Sequence, residues 1–240
     1  MDLAAIERAI TPRTRAVIVN SPNNPTGVVY SEGEIEGLAA LLKQKSAERG
    51  APVFLISDEP YRELSHDAAV PYPAAFYPDA VTCYSFSKTL SLAGERIGYI
   101  AISDGCTAAG DLFSAVCGAG RSLGYVCAPA LFQRVCAACL WVTSDLEAYE
   151  RNRDLLYTGL CESGYECIKP EGAFYLFVKS PLPDAKEFCE RAKKYELLIV
   201  PSDSFGVEGY VRISYCVPEE RILKSLPAFK KLLSELKCCP

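Results

Sequence analysis

Three short runs constrain the fold of this chain more than any other feature: Ala16-Val17-Ile18-Val19-Asn20, Val53-Phe54-Leu55-Ile56-Ser57 and Val81-Thr82-Cys83-Tyr84-Ser85. Each is almost wholly apolar, rich in β-branched residues, and followed by polar turn residues. Strands that are apolar on both sides of the pleat are covered on both faces, the habit of sheets in α/β proteins. Between the first two lies a helical stretch, Ile35 to Arg49, with Leu38, Leu41 and Leu42 on one face. Ser31-x-x-Glu34 forms a capping box ahead of it and Gly50 is its stop. The segment from Ser21 to Gly27 reads as a tight loop, because Pro25 keeps Asn24 out of helical geometry. Gly98 to Ile102 supplies a fourth strand.

After about Ala128 the pattern changes to one long helical region, Pro129 to roughly Cys161, carrying Leu131, Val135, Leu140, Trp141 and Leu146. Beyond it come strands at Ala173–Val178, Leu197–Val200 and Tyr210–Tyr215, with helices at Asp184–Tyr195 and Pro218–Leu236. The expected fold is therefore α/β: a partial, mostly parallel sheet with flanking helices over residues 1–128. A helical connector follows over 129–160 and a small C-terminal α+β domain over 161–240.

Composition narrows the function. With 25 basic and 30 acidic residues the formal charge is -5, which offers no broad basic surface for nucleic acid. The longest apolar stretches are broken by Pro129, Gln133 and Arg134, short of the roughly 20 residues needed to span a bilayer. Asp2, Glu7 and Arg8 sit where a signal peptide would have its apolar run, so the expectation is a cytoplasmic protein. The 12 cysteines are scattered; Cys136-x-x-Cys139 and Cys238-Cys239 are the near neighbours, and one close pair does not make a zinc site. The expectation is no metal, and buried, reduced thiols. His66 is the single histidine, which leaves little room for a serine or cysteine triad, and its polar surroundings from Glu63 to Asp67 predict a solvated loop residue.

Chemistry concentrates after the first three strands, at Asn24, Asp58 and Ser85-Phe86-Ser87-Lys88. In an open α/β sheet those carboxyl ends converge on the ligand crevice. Lys88 follows an apolar strand directly, with hydroxyls at Ser85 and Ser87 and a guanidinium at Arg96. Such hydroxyls and a guanidinium suit a phosphate, beside an amine able to form a Schiff base with a carbonyl. Asp58 could keep a cofactor's ring nitrogen protonated, and Tyr61 could reach its phenolic oxygen. On spacing alone, Asp58-Glu59-Pro60-Tyr61 reads equally as an ordinary turn and Asn24-Pro25-Thr26-Gly27 as an ordinary loop.

Five motifs together carry more weight. Ser21-Pro22-Asn23-Asn24-Pro25-Thr26-Gly27, Asp58-Glu59-Pro60-Tyr61, Ser85-Phe86-Ser87-Lys88 with Gly94-Glu95-Arg96-Ile97-Gly98-Tyr99, Glu171-Gly172-Ala173-Phe174-Tyr175, and Val211-Arg212-Ile213-Ser214 resemble, in order and spacing, the fold-type I pyridoxal-phosphate aminotransferases of the class I/II, aspartate-aminotransferase-like family. The resemblance implies transamination between an amino acid and a 2-oxo acid, with pyridoxal 5′-phosphate held as a Schiff base on Lys88. It implies that Lys88 also moves the proton, that Asp58 pairs with the ring nitrogen, and that Asn24 and Tyr61 bond the phenolic oxygen. Ser85, Ser87 and Arg96 would hold the phosphate, and Arg212, with Asn24 beside it, would bind the substrate carboxylate. The stretch from Gly172 to Tyr175 is expected to be small-domain core. Carbon–sulfur lyases resemble the same motifs.

Family members carry a substantial region ahead of the first motif seen here, whereas Met1 precedes Asn24 by only 23 positions. The expectation is a chain corresponding to the later part of an aminotransferase, with sheet edges left bare. Such edges invite pairing with another copy, as a homodimer or a strand-swapped oligomer. An inactive fragment that folds and self-associates is the alternative reading.

Overall fold

The computed structural model describes residues 1–66 and 68–238, and Cys239 of the adjacent Cys238-Cys239 pair lies outside them. The chain forms two compact units, each assembled from separate stretches: residues 1–22, 29–63 and 69–144 in the first, 23–28, 64–68 and 145–240 in the second.

The first unit is built on a four-stranded sheet of order β1-β2-β3-β4, with β1 Ala16–Asn20, β2 Phe54–Asp58, β3 Ala80–Ser85 and β4 Gly98–Ile102. β1, β2 and β3 are parallel, and β4 runs antiparallel to β3 with Ser85 opposite Gly98. Helix α1 (Leu3–Ala9), helix α2 (Glu32–Arg49) and the short α3 (Pro73–Phe76) accompany it. Ser31 and Glu34 close the expected capping box on α2, and Gly50 ends the helix in left-handed geometry. The core joins Val19, Leu55 and Ala80 to Leu38, Ala39 and Leu42 of α2, with Tyr77 beneath and Leu3 and Ile6 of α1 at the margin. The Tyr77 hydroxyl donates to the Val53 carbonyl at 2.7 Å, so the buried phenol is satisfied.

Burial on both faces fails at two strands. Ile18 is 69% exposed, and four of the five β4 residues are exposed. The core helices pack on the face that carries Val19 and Leu55, and Ile18, pointing the opposite way along the pleat, has no such cover. α4 (Phe86–Thr89) follows β3 at once, and α5 (Ala109–Ser122) has no buried residue.

The helical region expected over 129–161 consists of two helices, α6 (Ala130–Ala138) and α7 (Leu146–Ser163). The break coincides with the β-branched Val142-Thr143 and with Asp145, whose carboxylate caps α7 by accepting from the Ala148 amide.

In the second unit, β5 (Tyr175–Lys179), β6 (Val200–Pro201) and β7 (Tyr210–Ser214) form an antiparallel sheet of order β5-β7-β6. The strand expected at Leu197–Val200 is confined to β6, and Leu198 is exposed. Helices α7, α8 (Ala185–Lys193) and α9 (Glu219–Cys238) complete this unit. Leu156, Leu160, Phe188, Val211, Tyr215, Phe229 and Leu232 are buried there, and Gly172 to Tyr175 lie in this core as expected.

The ten described cysteines are free thiols, but only Cys106, Cys136 and Cys189 are buried; Cys117, Cys127 and Cys216 are exposed. Cysteine's apolar character does not decide burial where a helix such as α5, which carries Cys117, has no buried face. No group of three or more metal-ligating side chains occurs among the described residues, and no described helix is long and apolar enough to cross a membrane.

Candidate active site

In the first unit the parallel strands bring the polar groups after β2 and β3 side by side. Asp58 ends β2 and is in register with Cys83 of β3 and Asn20 of β1. Asn20 was not singled out by the sequence, yet its amide donates to the Asp58 carbonyl at 2.9 Å and to the carboxylate Oδ2 at 3.2 Å. Burial raises the Asp58 pKa above the ordinary aspartate value, and the neighbouring Glu59 adds to the rise. Glu59 itself is 1% exposed, held by the Ser57 hydroxyl at 2.7 Å and Arg62 Nε at 2.6 Å. Asp58 opens into a groove of about 540 Å³ bordered by Cys83, Ser85, Gly98, Tyr99 and Phe113.

The turn from β3 into α4 presents the next three candidates. Ser85 caps α4 through its hydroxyl, which accepts from the Ser87 amide at 3.2 Å and donates to Ser87 Oγ at 2.8 Å. Lys88 follows on α4 with Nζ 5.7 Å from the centre of the buried Tyr61 ring. The turn is anchored from below: the Tyr84 and Thr89 hydroxyls both donate to Glu63 Oε2, at 2.7 and 2.9 Å, and Ser144 donates to the Thr89 carbonyl at 2.6 Å. Burial pushes the Tyr84 phenol far above its ordinary range, so it remains a donor at any physiological pH.

Gly98 of the Gly-Glu-Arg-Ile-Gly-Tyr stretch is required by this geometry, since a Cβ there would stand 2.3 Å from the Tyr84 carbonyl oxygen. Arg96, expected with Ser85 and Ser87, is exposed and turns back on its own backbone, donating from Nη1 to the Ala93 carbonyl at 2.9 Å.

The second unit holds Asn24 and Arg212, separated by 188 positions yet joined by a 2.8 Å hydrogen bond from Arg212 Nη1 to Asn24 Oδ1. Arg212 lies on β7 with its guanidinium carbon 4.4 Å from the Tyr175 ring centre and 4.9 Å from that of Phe205. Two aromatic rings thus hold the fork while it keeps further N–H groups for an anion. Phe205 sits in a short 3-10 turn and carried no sequence signal. The loop bearing Asn24 is anchored at Gly27, where φ is +72° and a Cβ would stand 2.2 Å from Pro170 Cβ.

His66 is a correction. Its side chain is fully buried rather than solvated, with Nε2 3.1 Å from the Tyr215 hydroxyl and Nδ1 4.0 Å from Glu150 Oε1. The polar neighbours in sequence misled because the backbone there bridges to the Gly172 region, through Ser65 and the His66 amide on the Glu171 carbonyl, and so turns the ring inward.

Comparison with known proteins adds an independent observation. The family described as aminotransferase class I and II matches residues 1–228. A probable aspartate/prephenate aminotransferase of Thermus aquaticus is 35% identical over 97% of this chain and 60% of its own length. An amino transferase structure from Eubacterium rectale superposes with a TM-score of 0.95 at 53% identity, covering 98% of this chain and 60% of that one. The Thermus thermophilus aspartate aminotransferase with maleate gives a TM-score of 0.81 at 31% identity, over 97% of this chain and 60% of that chain. The chain therefore spans about 60% of the length of the relatives it matches.

Proposed function

Since the chain belongs to the aminotransferase class I and II family, we propose that it serves pyridoxal-phosphate-dependent transamination between an amino acid and a 2-oxo acid. The observation that carries this reading is the grouping of Asp58 with Ser85, Ser87 and Lys88 at the ends of two adjacent parallel strands. The residues fit the cofactor's chemistry: Asp58 is a desolvated carboxylate with a raised pKa, a state that a protonated ring nitrogen would relieve. Pyridoxal 5′-phosphate, when bound, supplies an aldehyde that takes up amines and a protonated ring that accepts electrons from the α-carbon.

Each side chain then has a part in the reading. Lys88 Nζ is the amine for the aldehyde and afterwards the base that moves the α-carbon's proton. Asp58 holds the ring-nitrogen proton, with Asn20 fixing the carboxylate's direction. The Ser85 and Ser87 hydroxyls take the phosphate; Arg96 joins them by giving up its contact with Ala93. Tyr61 and Asn24 donate to the phenolic oxygen. Arg212, oriented by Asn24, Tyr175 and Phe205, binds the substrate carboxylate as a fork. In this reading residues 1–128 are the cofactor domain, 129–160 the connector and 161–240 the small domain. Self-association is read from β1 and β4, the outer strands of the sheet.

The test is an absorbance spectrum of the purified chain with pyridoxal phosphate, alongside Lys88→Ala, followed by borohydride reduction and peptide mapping. The expected result is a visible band that requires Lys88 and a pyridoxyl group fixed on Lys88 alone. A folded chain that gives no band, or label spread over surface lysines, rejects the reading and leaves a folded but inactive polypeptide.

A further inference from the structure

We infer that Cys161 and Cys167 form a dithiol site that reacts with low-molecular-weight disulfides and closes to an intramolecular disulfide. The inference concerns the second unit alone and does not depend on the proposed activity. Cys161 lies in the last turn of α7, and Cys167 lies just past the turn that ends it. Gly164 closes the helix in left-handed geometry, its amide on the Cys161 carbonyl at 2.9 Å, while the Tyr165 amide reaches the Leu160 carbonyl at 3.0 Å. That reversal carries Cys167 back beside the helix it has just left.

Both ends of the turn are pinned. Tyr165 is buried with its hydroxyl on the Phe229 carbonyl at 2.9 Å, and Cys167 bridges to Val178 of β5 while the Lys179 amide bonds the Glu166 carbonyl at 2.8 Å. The two Sγ atoms stand 3.5 Å apart. A disulfide needs about 2.05 Å, so closure requires the two sulfurs to approach by about 1.5 Å. Each thiol is half-buried, so a small reagent has access to the pair.

The order of attack follows from the surroundings. Burial, and next the sulfur of Cys161, push the Cys167 thiol up to about 12, so Cys167 is a poor first nucleophile and Cys161 opens the exchange. Cys161 sulfur attacks the reagent disulfide, breaks its S–S bond and releases one thiol, leaving a mixed disulfide on Cys161. With the Cys161 sulfur tied up in the mixed disulfide, its contribution to the rise at Cys167 is removed. Cys167 then attacks the Cys161 sulfur and expels the second thiol. Two protein thiols are oxidised by two electrons, and one reagent disulfide is reduced to two thiols.

The experiment incubates the full chain with oxidised glutathione, alkylates remaining thiols and digests with trypsin; no lysine or arginine lies between the two cysteines, so one peptide carries both. The expected product is that peptide unalkylated and lighter by two hydrogens. The exposed Cys117, Cys127 and Cys216 should instead carry glutathione or the alkylating group. In Cys167→Ser, glutathione should remain on Cys161, whereas in Cys161→Ser it should be missing from Cys167. A wild-type peptide alkylated at both cysteines, or one that keeps glutathione without closing, overturns the inference.

Discussion

Asp58 is a residue whose burial sets its charge against stability. Its folded-state pKa is raised, chiefly by burial, so the folded chain binds a proton more readily than the unfolded one. The charged carboxylate therefore costs stability at neutral pH, and the cost disappears as pH falls through the folded pKa toward the ordinary aspartate value near 4. Asp58→Asn should raise the melting temperature at pH 7, because it removes a charge that burial disfavours. Below about pH 4 the gain should vanish, while pyridoxal phosphate binding weakens at neutral pH; calorimetry across pH and a binding titration read both. Asn20→Ala should move the Asp58 pKa further up, since the lost amide favours the carboxylate, and a carbon-detected NMR titration measures it. For Arg212→Lys, loss of the fork should cost on the order of 1.5–3 kcal/mol in amino-acid binding, roughly ten- to a hundredfold. The Lys88-dependent absorbance band should be unchanged, so its loss would mark Arg212 as structural.

At the scale of elements, the best-marked pieces are those whose ends have their own chemistry. Ser31, Glu34 and Gly50 mark α2 without help from its neighbours, and Ser31→Ala should cost about 1 kcal/mol in urea unfolding. Helix α5 went unmarked: Gly110, Gly118 and Gly120 weaken its helical preference and it has no side-chain cap. Pairing of β3 with β4 depends on Gly98, whose absent side chain lets the Tyr84 carbonyl approach. Gly98→Ala should destabilise by about 1–3 kcal/mol through displaced backbone, and the absorbance band should fall with it, because the Ser85 end of β3 lies opposite.

For the whole molecule, the consequential surface is the apolar one. Leu123, Tyr125, Val126, Leu131 and Leu140 are exposed in the first unit, and Trp141, the single tryptophan, is 94% exposed. If the proposed self-association covers these side chains as well as the β1 and β4 edges, they leave water when copies meet. Trp141 emission should be red-shifted and quenched by iodide in dilute solution, with the quenching falling as protein concentration rises. Quenching that does not change with concentration, in a sample that light scattering finds monomeric throughout, would reject self-association through this face.

The strands β1 to β4, the capped helix α2 and the candidates Lys88, Asp58 and Asn24 are legible in the sequence, and Arg212 is added by the family resemblance. These depend on local chemistry: β-branched runs, caps, turn residues and motifs read in order. Tertiary structure alone decided that Asn20 orients Asp58, that Phe205 and Tyr175 flank Arg212, that His66 is buried, and that Ile18 and β4 are exposed. Those outcomes depend on which distant segment arrives against a given face, and the residues concerned carry no local sign of it. Asn24 and Arg212 show both sides: the family resemblance pairs them at the substrate carboxylate, while the hydrogen bond that joins them across 188 positions exists only in the folded chain.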